Sequence, residues 1–176
     1  ARLVVIDPRR TELAAVADVH LANRPGSNVA VFHGLAHLLL AGGHVDQTFL
    51  DERRSGLAEL RRALEDYDPD RVSRIAEVPA DKLRLAAALY GTAKRPAIIY
   101  GLGGTEHAHG TDGVRALANL AILKGAVGND HGCGILPLRG QNNVQGASDM
   151  GALPDLLPGY QHVTDAGVRR RVAAVW

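Results

Sequence analysis

A chain of 176 residues is long enough for one domain with a substantial core. Its 20 basic residues nearly cancel its 19 acidic ones, which excludes a broadly cationic surface for nucleic acid or anionic membrane. The single cysteine, Cys133, excludes an intrachain disulfide and a four-thiolate cluster within these residues. There is no apolar run of membrane length and no secretory signal pattern. The chain opens without Met at Ala1-Arg2 and closes on the apolar Val172-Ala173-Ala174-Val175-Trp176. Both ends read as cuts through a larger protein, so the absences apply to this segment alone.

Leu3-Val4-Val5-Ile6, halted by Asp7-Pro8, predicts a buried parallel strand followed by a turn. Thr11 then caps a short helix through Leu13 and Ala17, and His20-Leu21 predicts a second brief strand. Ser27 or Asn28 caps a long, mostly enclosed helix from Val29 to about Ala41, stopped by Gly42-Gly43, with Leu35, Leu38 and Leu39 facing the core. Asp46 begins another helix. The charged stretch from Asp51 to Asp70 carries Leu57, Leu60 and Leu64 at helical spacing and belongs on the surface. Pro79 and Asp81 open an amphipathic helix through Leu83, Ala86, Ala87 and Tyr90. Pro96-Ala97-Ile98-Ile99-Tyr100 predicts a buried strand that breaks at Gly101-Leu102-Gly103-Gly104, and a helix follows from about Thr111 to Lys124. The Arg169-Arg170-Arg171 run reads as a solvated helix face. Alternation of strands and helices predicts an α/β fold, Rossmann-like and doubly wound, with a mostly parallel sheet and helices on both faces. The expectation is one domain over residues 1–176, in which 139–176 form a site segment and the start of a following region, with incomplete order at the carboxyl end.

Candidate sites fall where such folds take ligands. Asp7 and Arg9 follow the first strand: an Asp there can accept two hydrogen bonds from a ribose or a guanine edge and Arg9 can pair with a phosphate, or Asp7 simply caps the turn beside solvated arginines. Gly26-Ser27-Asn28 opens the long helix, where free N–H groups and the dipole favour an anion; a plain N-cap explains the same residues. Gly101-Leu102-Gly103-Gly104 lies between strand and helix as phosphate-binding loops do, but Glu106 occupies the last position of a dinucleotide fingerprint, and a tight turn is the alternative. The run from Leu138 to Pro154 is polar and glycine-rich, with Arg139 and the amides Gln141, Asn142, Asn143 and Gln145; it suits a polar ligand or a surface loop.

Other constellations carry less. His33 and His37 stand four apart on an apolar helix without a third ligand at useful spacing. His107 and His109 are either surface residues or ligand neighbours. Cys133, next to Asp130-His131-Gly132, reads as a small buried thiol rather than a nucleophile, and no nucleophile elbow is present.

The order and spacing of Val5 to Arg10, Gly26 to Asn28, Gly101 to His107 and Leu138 to Pro154, with Pro158-Gly159-Tyr160-Gln161 behind them, resemble the catalytic subunit of molybdenum- or tungsten-dependent formate dehydrogenases over nearly the whole chain. The matching part follows that family's iron-sulfur and metal-ligand segment. The resemblance implies binding of molybdopterin guanine dinucleotide with Mo or W, with any iron-sulfur cluster confined to an upstream segment. Asp7 and Arg9 would contact the guanosine end, Gly26, Ser27 and Asn28 the guanine, and Gly101, Leu102, Gly103 and Glu106 would pass beside a pterin dinucleotide. Asn28 stands where many related enzymes have Asp and offers one acceptor oxygen instead of two, Glu106 replaces the usual Gln, and Ser148 replaces a common Cys. Arg139 would orient the formate carboxylate and Gln141 would hold a hydrogen-bonding position near the metal. No metal ligand is implied within the chain. Partners implied are formate, the remaining domains of the same subunit and electron-transfer subunits, with neither nucleic acid nor membrane contacted, and the cytoplasm preferred to the periplasm. Alternatives are a non-catalytic guanine-nucleotide or assembly module, and another molybdopterin oxidoreductase such as a nitrate reductase.

Overall fold

The structure, a computed structural model, describes residues 1–52, 56–128 and 133–176, and divides into two units, 1–137 and 138–176. In the first unit, β1 (Val4–Ile6) pairs in parallel with β2 (Val19–Leu21), Val5 opposite His20. The link between them contains α1 (Glu12–Ala15), whose orphan N–H at Ala14 is taken by the Thr11 hydroxyl at 3.2 Å. α2 (Asn28–Ala41) follows and is the central element of the core. Val31, Leu35 and Leu39 are buried along it, Leu38 is half-buried, and it packs against α4 (Leu57–Leu64), α5 (Pro69–Ala76), α6 (Ala80–Thr92) and α7 (Gly110–Leu123). Gly34 is what lets α5 approach: a Cβ there would lie 2.9 Å from Val72 Cγ2.

Between α2 and α4 stands α3 (Gln47–Glu52), whose first turn is capped by Asp46 Oδ1 accepting from Phe49 N at 3.0 Å. Part of the charged surface stretch, residues 53–55, lies outside the described residues. Its remainder is split: α4 ends after Leu64, which is buried, and Asp68 then caps α5 by accepting from Asp70 N and Arg71 N, both at 3.0 Å, with Pro69 at the first helical position.

β3 (Ala97–Tyr100) pairs in parallel with β4 (Gly134–Pro137), Ile99 opposite Leu136. The expectation of a buried strand at Ile98-Ile99 is corrected here. Ile99 is 62% exposed and Leu136 47%: α7 packs against this pair, and among the described residues these two side chains are left uncovered. A single doubly wound sheet is likewise not found among the described residues. They form three two-stranded sheets, since the described residues between Ala22 and Pro96 form helices and their connections and supply no strand to join β2 to β3. The coarser α/β assignment stands: mixed helices and small parallel sheets.

In the second unit α8 (Val144–Asp149) precedes a short antiparallel hairpin of β5 (Leu156–Leu157) and β6 (Gln161–His162), turned through Gly159 at φ 74° and Tyr160 at φ 58°. α9 (Ala166–Ala173) is capped by Asp165, which accepts from Gly167 N at 2.7 Å and Val168 N at 3.0 Å. Arg170 is exposed as expected, but Arg169 donates to the carbonyls of Val163 and Thr164, and Arg171 donates to Gln161 Oε1.

Candidate functional site

Asp7 follows β1 at the carboxyl end of the β1–β2 pair. Its N–H extends the ladder to Leu21 O at 3.2 Å, and its carbonyl accepts from His20 Nε2 at 2.8 Å. The carboxylate caps the turn, with Oδ1 accepting from Arg9 N at 2.7 Å. One carboxylate oxygen is therefore occupied locally. The Arg9 guanidinium is exposed, with no hydrogen bond among the described residues.

Beyond β2 the chain turns through Arg24, Pro25 and Gly26, the last at φ 87°, a left-handed conformation that glycine adopts without a Cβ penalty. Ser27 is the N-cap of α2, yet its hydroxyl turns back to donate to Arg24 O at 2.6 Å and does not cap. The first intrahelical bond is Val31 N to Ser27 O. Hence the N–H groups of Asn28, Val29 and Ala30 have no partner among the described residues, at the positive end of a 14-residue helix dipole. Asn28 is held from both sides: its Oδ1 accepts from Asn23 Nδ2 at 3.0 Å and its Nδ2 donates to Gly103 O at 3.4 Å. An Asp at this position would set a carboxylate against the Gly103 carbonyl, so the amide is what this arrangement requires.

After β3, Gly101 leads into a 3-10 turn over Leu102–Gly104. Gly103 O accepts a second bond from His107 Nε2 at 2.7 Å, which fills both lone pairs of one carbonyl. The loop is seated on α7 through Gly110, where a Cβ would lie 1.9 Å from Thr105 O. Gly101 and Gly103 are different: neither has a positive φ, and a Cβ at either would meet open space. No dihedral and no packing within the chain requires glycine there, which fits a backbone left bare for close approach by a ligand.

The two helix starts meet at a cleft of about 40 Å³ lined by Gly26, Asn28, Val29, Gly104, His107 and His109. Its volume is that of roughly one water, so it is the floor of an open surface and not an enclosing pocket. The donor set is the chemical test of fit: unspent helix N–H groups and a spare Asn28 hydrogen suit phosphate or carbonyl oxygens. Asn28 and Gly103, 75 residues apart, meet here, and Gly26 joins them. Leu102 and Glu106 are exposed beside the loop and do not line the cleft. Sequence reasoning left His107 undecided and missed Asn23. Neither has a motif: Asn23 bonds to Arg24, Ser27 and Asn28 and His107 to Gly103, all within five positions, so each bond is set by the conformation of its own turn.

His33 and His37 are occupied separately. His37 Nδ1 donates to Leu64 O at 2.9 Å, whereas His33 packs edge-on against Tyr67 at 4.7 Å with Nδ1 buried and without a hydrogen-bond partner among the described residues. Burial holds the His33 pKa below its ordinary value, partly countered by Asp112. Cys133 is half-buried, not fully buried, and residues 129–132, including His131, lie outside the described residues.

In the second unit Arg139 and Gln141 are exposed, with no hydrogen bond among the described residues. They precede Asn143, at φ 53°, which starts α8. The polar run is thus partly helical and not a continuous loop. A network that sequence reasoning missed lies behind them: Tyr160 Oη donates to Asp149 Oδ1 at 2.5 Å, and Gln145 Nε2 bonds to both, at 3.0 Å to Asp149 and 2.8 Å to the Tyr160 oxygen. The Asp149 hydrogen bond pushes the Tyr160 pKa up, and the Tyr160 and Gln145 bonds pull the Asp149 carboxyl below its usual range. The four-residue spacing of Gln145 and Asp149 was the available signal.

Among the described residues there is no cluster of three or more His, Cys, Asp or Glu able to hold a metal, and no helix long and apolar enough to cross a membrane. Formate dehydrogenase H of Escherichia coli (strain K12) is 44% identical over 176 residues, which is 100% of this chain and 24% of that protein. Nitrate reductase of Synechocystis sp. (strain ATCC 27184 / PCC 6803 / Kazusa) is 35% identical over 175 residues, 99% of this chain and again 24% of the relative. The chain therefore spans about a quarter of the length of these curated relatives. The solved structure of acetylene hydratase from Pelobacter acetylenicus superimposes with a TM-score of 0.70 at 27% identity, covering 73% of this chain and 18% of that one. The family described as Molybdopterin oxidoreductase matches residues 1–176 without a gap at either end, and the chain belongs to that family.

Proposed function

We propose that the chain is part of a formate dehydrogenase catalytic subunit that binds molybdopterin guanine dinucleotide, carrying Mo or W, and orients formate for two-electron oxidation to carbon dioxide. The observation that carries this reading is the 44% identity to formate dehydrogenase H over all 176 residues, against 35% to a nitrate reductase over nearly the same span. The donor-rich cleft supports the cofactor part. Gly26, Ser27 and Asn28 hold the guanine, Asp7 and Arg9 the guanosine end, and Gly101, Leu102, Gly103 and Glu106 border the pterin dinucleotide. In the whole protein the two parallel strand pairs belong to a doubly wound sheet, with any iron-sulfur cluster in another segment.

Arg139 binds the substrate. Its planar fork matches both oxygens of a carboxylate and stays charged at any working pH. Formate has two oxygens and one hydrogen on a single carbon, so a fork that engages both oxygens leaves the C–H bond pointing away from the guanidinium. Orientation of that bond is the contribution of Arg139. Gln141 adds a neutral donor or acceptor beside it without introducing a charge that would compete with formate. When bound, the metal-pterin centre supplies the two-electron acceptor. Formate becomes carbon dioxide with release of two electrons and one proton.

The test uses the full-length protein: metal content, pterin and guanine nucleotide released on denaturation, and formate-dependent reduction of a viologen dye. Mo or W with guanine nucleotide and formate turnover is the expected result. A nitrate reductase is the second reading, favoured by the nitrate reductase relative, and oxidation of reduced viologen by nitrate without formate activity would establish it.

A further inference from the structure

α8 lacks the usual supports of a helix. It is six residues long and mostly polar, it carries Gly146 inside it, and among the described residues it buries none of its side chains. A helix of that length does not stand on propensity, so its ties to its neighbours decide where it lies. Two ties hold its carboxyl end to the β5–β6 hairpin. Gly159 N donates to Asp149 O at 3.0 Å, and the Tyr160 hydroxyl donates to Asp149 Oδ1 at 2.5 Å. Gln145, one turn earlier on the helix, completes the set by donating to the Asp149 and Tyr160 oxygens. The three side chains are exposed, where polar contacts add little to stability. Tyr160 nevertheless holds φ 58°, a left-handed conformation that suits Gly or Asn and in which a bulky side chain is an outlier. Backbone strain kept for the sake of an exposed hydroxyl points to a use other than stability.

What α8 carries is the polar run. Asn143 ends the loop from Arg139 and folds its amide over the first turn of the helix, where a Cβ on Gly146 would lie 2.5 Å from Asn143 Oδ1. Arg139 and Gln141 have no hydrogen bond among the described residues, so α8 is the fixed side of their loop. The Asp149 bond raises the Tyr160 pKa, and the Gln145 bond and the Arg139 charge oppose it, which puts the guanidinium within electrostatic reach of the hydroxyl. We propose that Tyr160 is a positioning residue for the reaction: bonded to Asp149 and Gln145, it fixes α8, and through α8 the loop from which Arg139 reaches formate. The inference rests on the formate reading above and adds what keeps the guanidinium fork in one orientation. Alignment of a reactant is lost on a displacement of ~1 Å, whereas attraction between opposite charges survives it, so removing this tie slows turnover and spares binding.

The experiment measures formate-dependent viologen reduction by the full-length enzyme, with kcat expressed per metal bound. Tyr160→Phe keeps the ring and loses the hydroxyl; its kcat is expected to fall at least about tenfold while the formate KM stays within about threefold of the wild type. In an Arg139→Lys background the same change costs about threefold or less, because a residue that acts through Arg139 has little left to lose there. Tyr160→Asn suits the left-handed turn, so its thermal midpoint holds or rises while its kcat falls as in Tyr160→Phe, which separates positioning from folding. Asp149→Asn keeps the acceptor oxygen and stays within about threefold of the wild type. Asp149→Leu removes that oxygen, falls as Tyr160→Phe does, and carries the same comparison of backgrounds where Tyr160→Phe does not load metal. Full turnover by the metal-loaded variants, or equal losses in both backgrounds, overturns the proposal and leaves the formate reading standing. A metal-loaded wild type that does not oxidise formate overturns both.

Discussion

At the scale of single residues, Arg139 and His33 make opposite kinds of contribution. Arg139 is exposed, so its replacement should touch chemistry and leave folding alone. Arg139→Lys keeps the charge and loses the two-point grip. In the full-length enzyme, formate kcat/KM is expected to fall by about 2 to 4 kcal/mol of transition-state stabilisation with metal content unchanged. Unchanged dye-reduction kinetics at full loading would remove Arg139 from the substrate site. His33 concerns stability. Burial lowers its pKa in the folded state from an ordinary value of 6.5, so the unfolded chain takes up a proton first as pH falls. The stabilising difference is fully present above pH 6.5 and is lost as pH falls through the folded value. Replacing it by Leu removes the proton uptake, so urea midpoints measured from pH 7 down to pH 5 should decline less in His33→Leu than in the wild type; parallel curves would refute this assignment.

At the scale of elements, the loop from Gly101 to His109 depends on how α7 is seated. Gly110→Ala drives a Cβ into the Thr105 carbonyl, which is backbone and cannot rotate away. The loop or the helix start must shift, at a cost of about 3 kcal/mol or more. Guanine nucleotide content should drop more than the thermal midpoint predicts from global stability alone, and full nucleotide content in Gly110→Ala would show that the loop does not touch the cofactor. Much of this architecture could be read in advance. Thr11 and the Pro79-Asp81 entry to α6 are local signals that the structure uses, whereas Ser27 marks the start of α2 without capping it through its side chain. α5 was missed although Asp68-Pro69 announces it, because the charge run around it looked continuous. β4 is four residues with Gly at one end and Pro at the other, too short for any period, and α8 is polar with an internal glycine. The site was partly legible for the same reason. Gly26, Asn28 and Gly103 sit at strand ends and helix starts that the topology predicts for ligands, whereas the bonds of Asn23 and His107 depend on loop conformations that no periodicity encodes.

At the scale of the whole molecule, the chain is about a quarter of its curated relatives in length and has no metal-binding cluster among its described residues. The isolated 176-residue polypeptide is therefore expected to show no formate-dependent dye reduction even when metal and pterin are supplied, and turnover by pure fragment would contradict the division of labour proposed above. Its sheets have a further consequence. Among the described residues β1 with β2 and β3 with β4 are pairs, so each of these four strands keeps one row of backbone donors and acceptors unladdered, and beside β3 and β4 the Ile99 and Leu136 side chains stand in water. Such rims are templates on which a like chain can add a strand. Kept alone at high concentration, this polypeptide should polymerise edge to edge, with a lag that shortens steeply as concentration rises, and a charge at Ile99 should lengthen that lag; light scattering that stays flat for both proteins would show that the rims are already blunted.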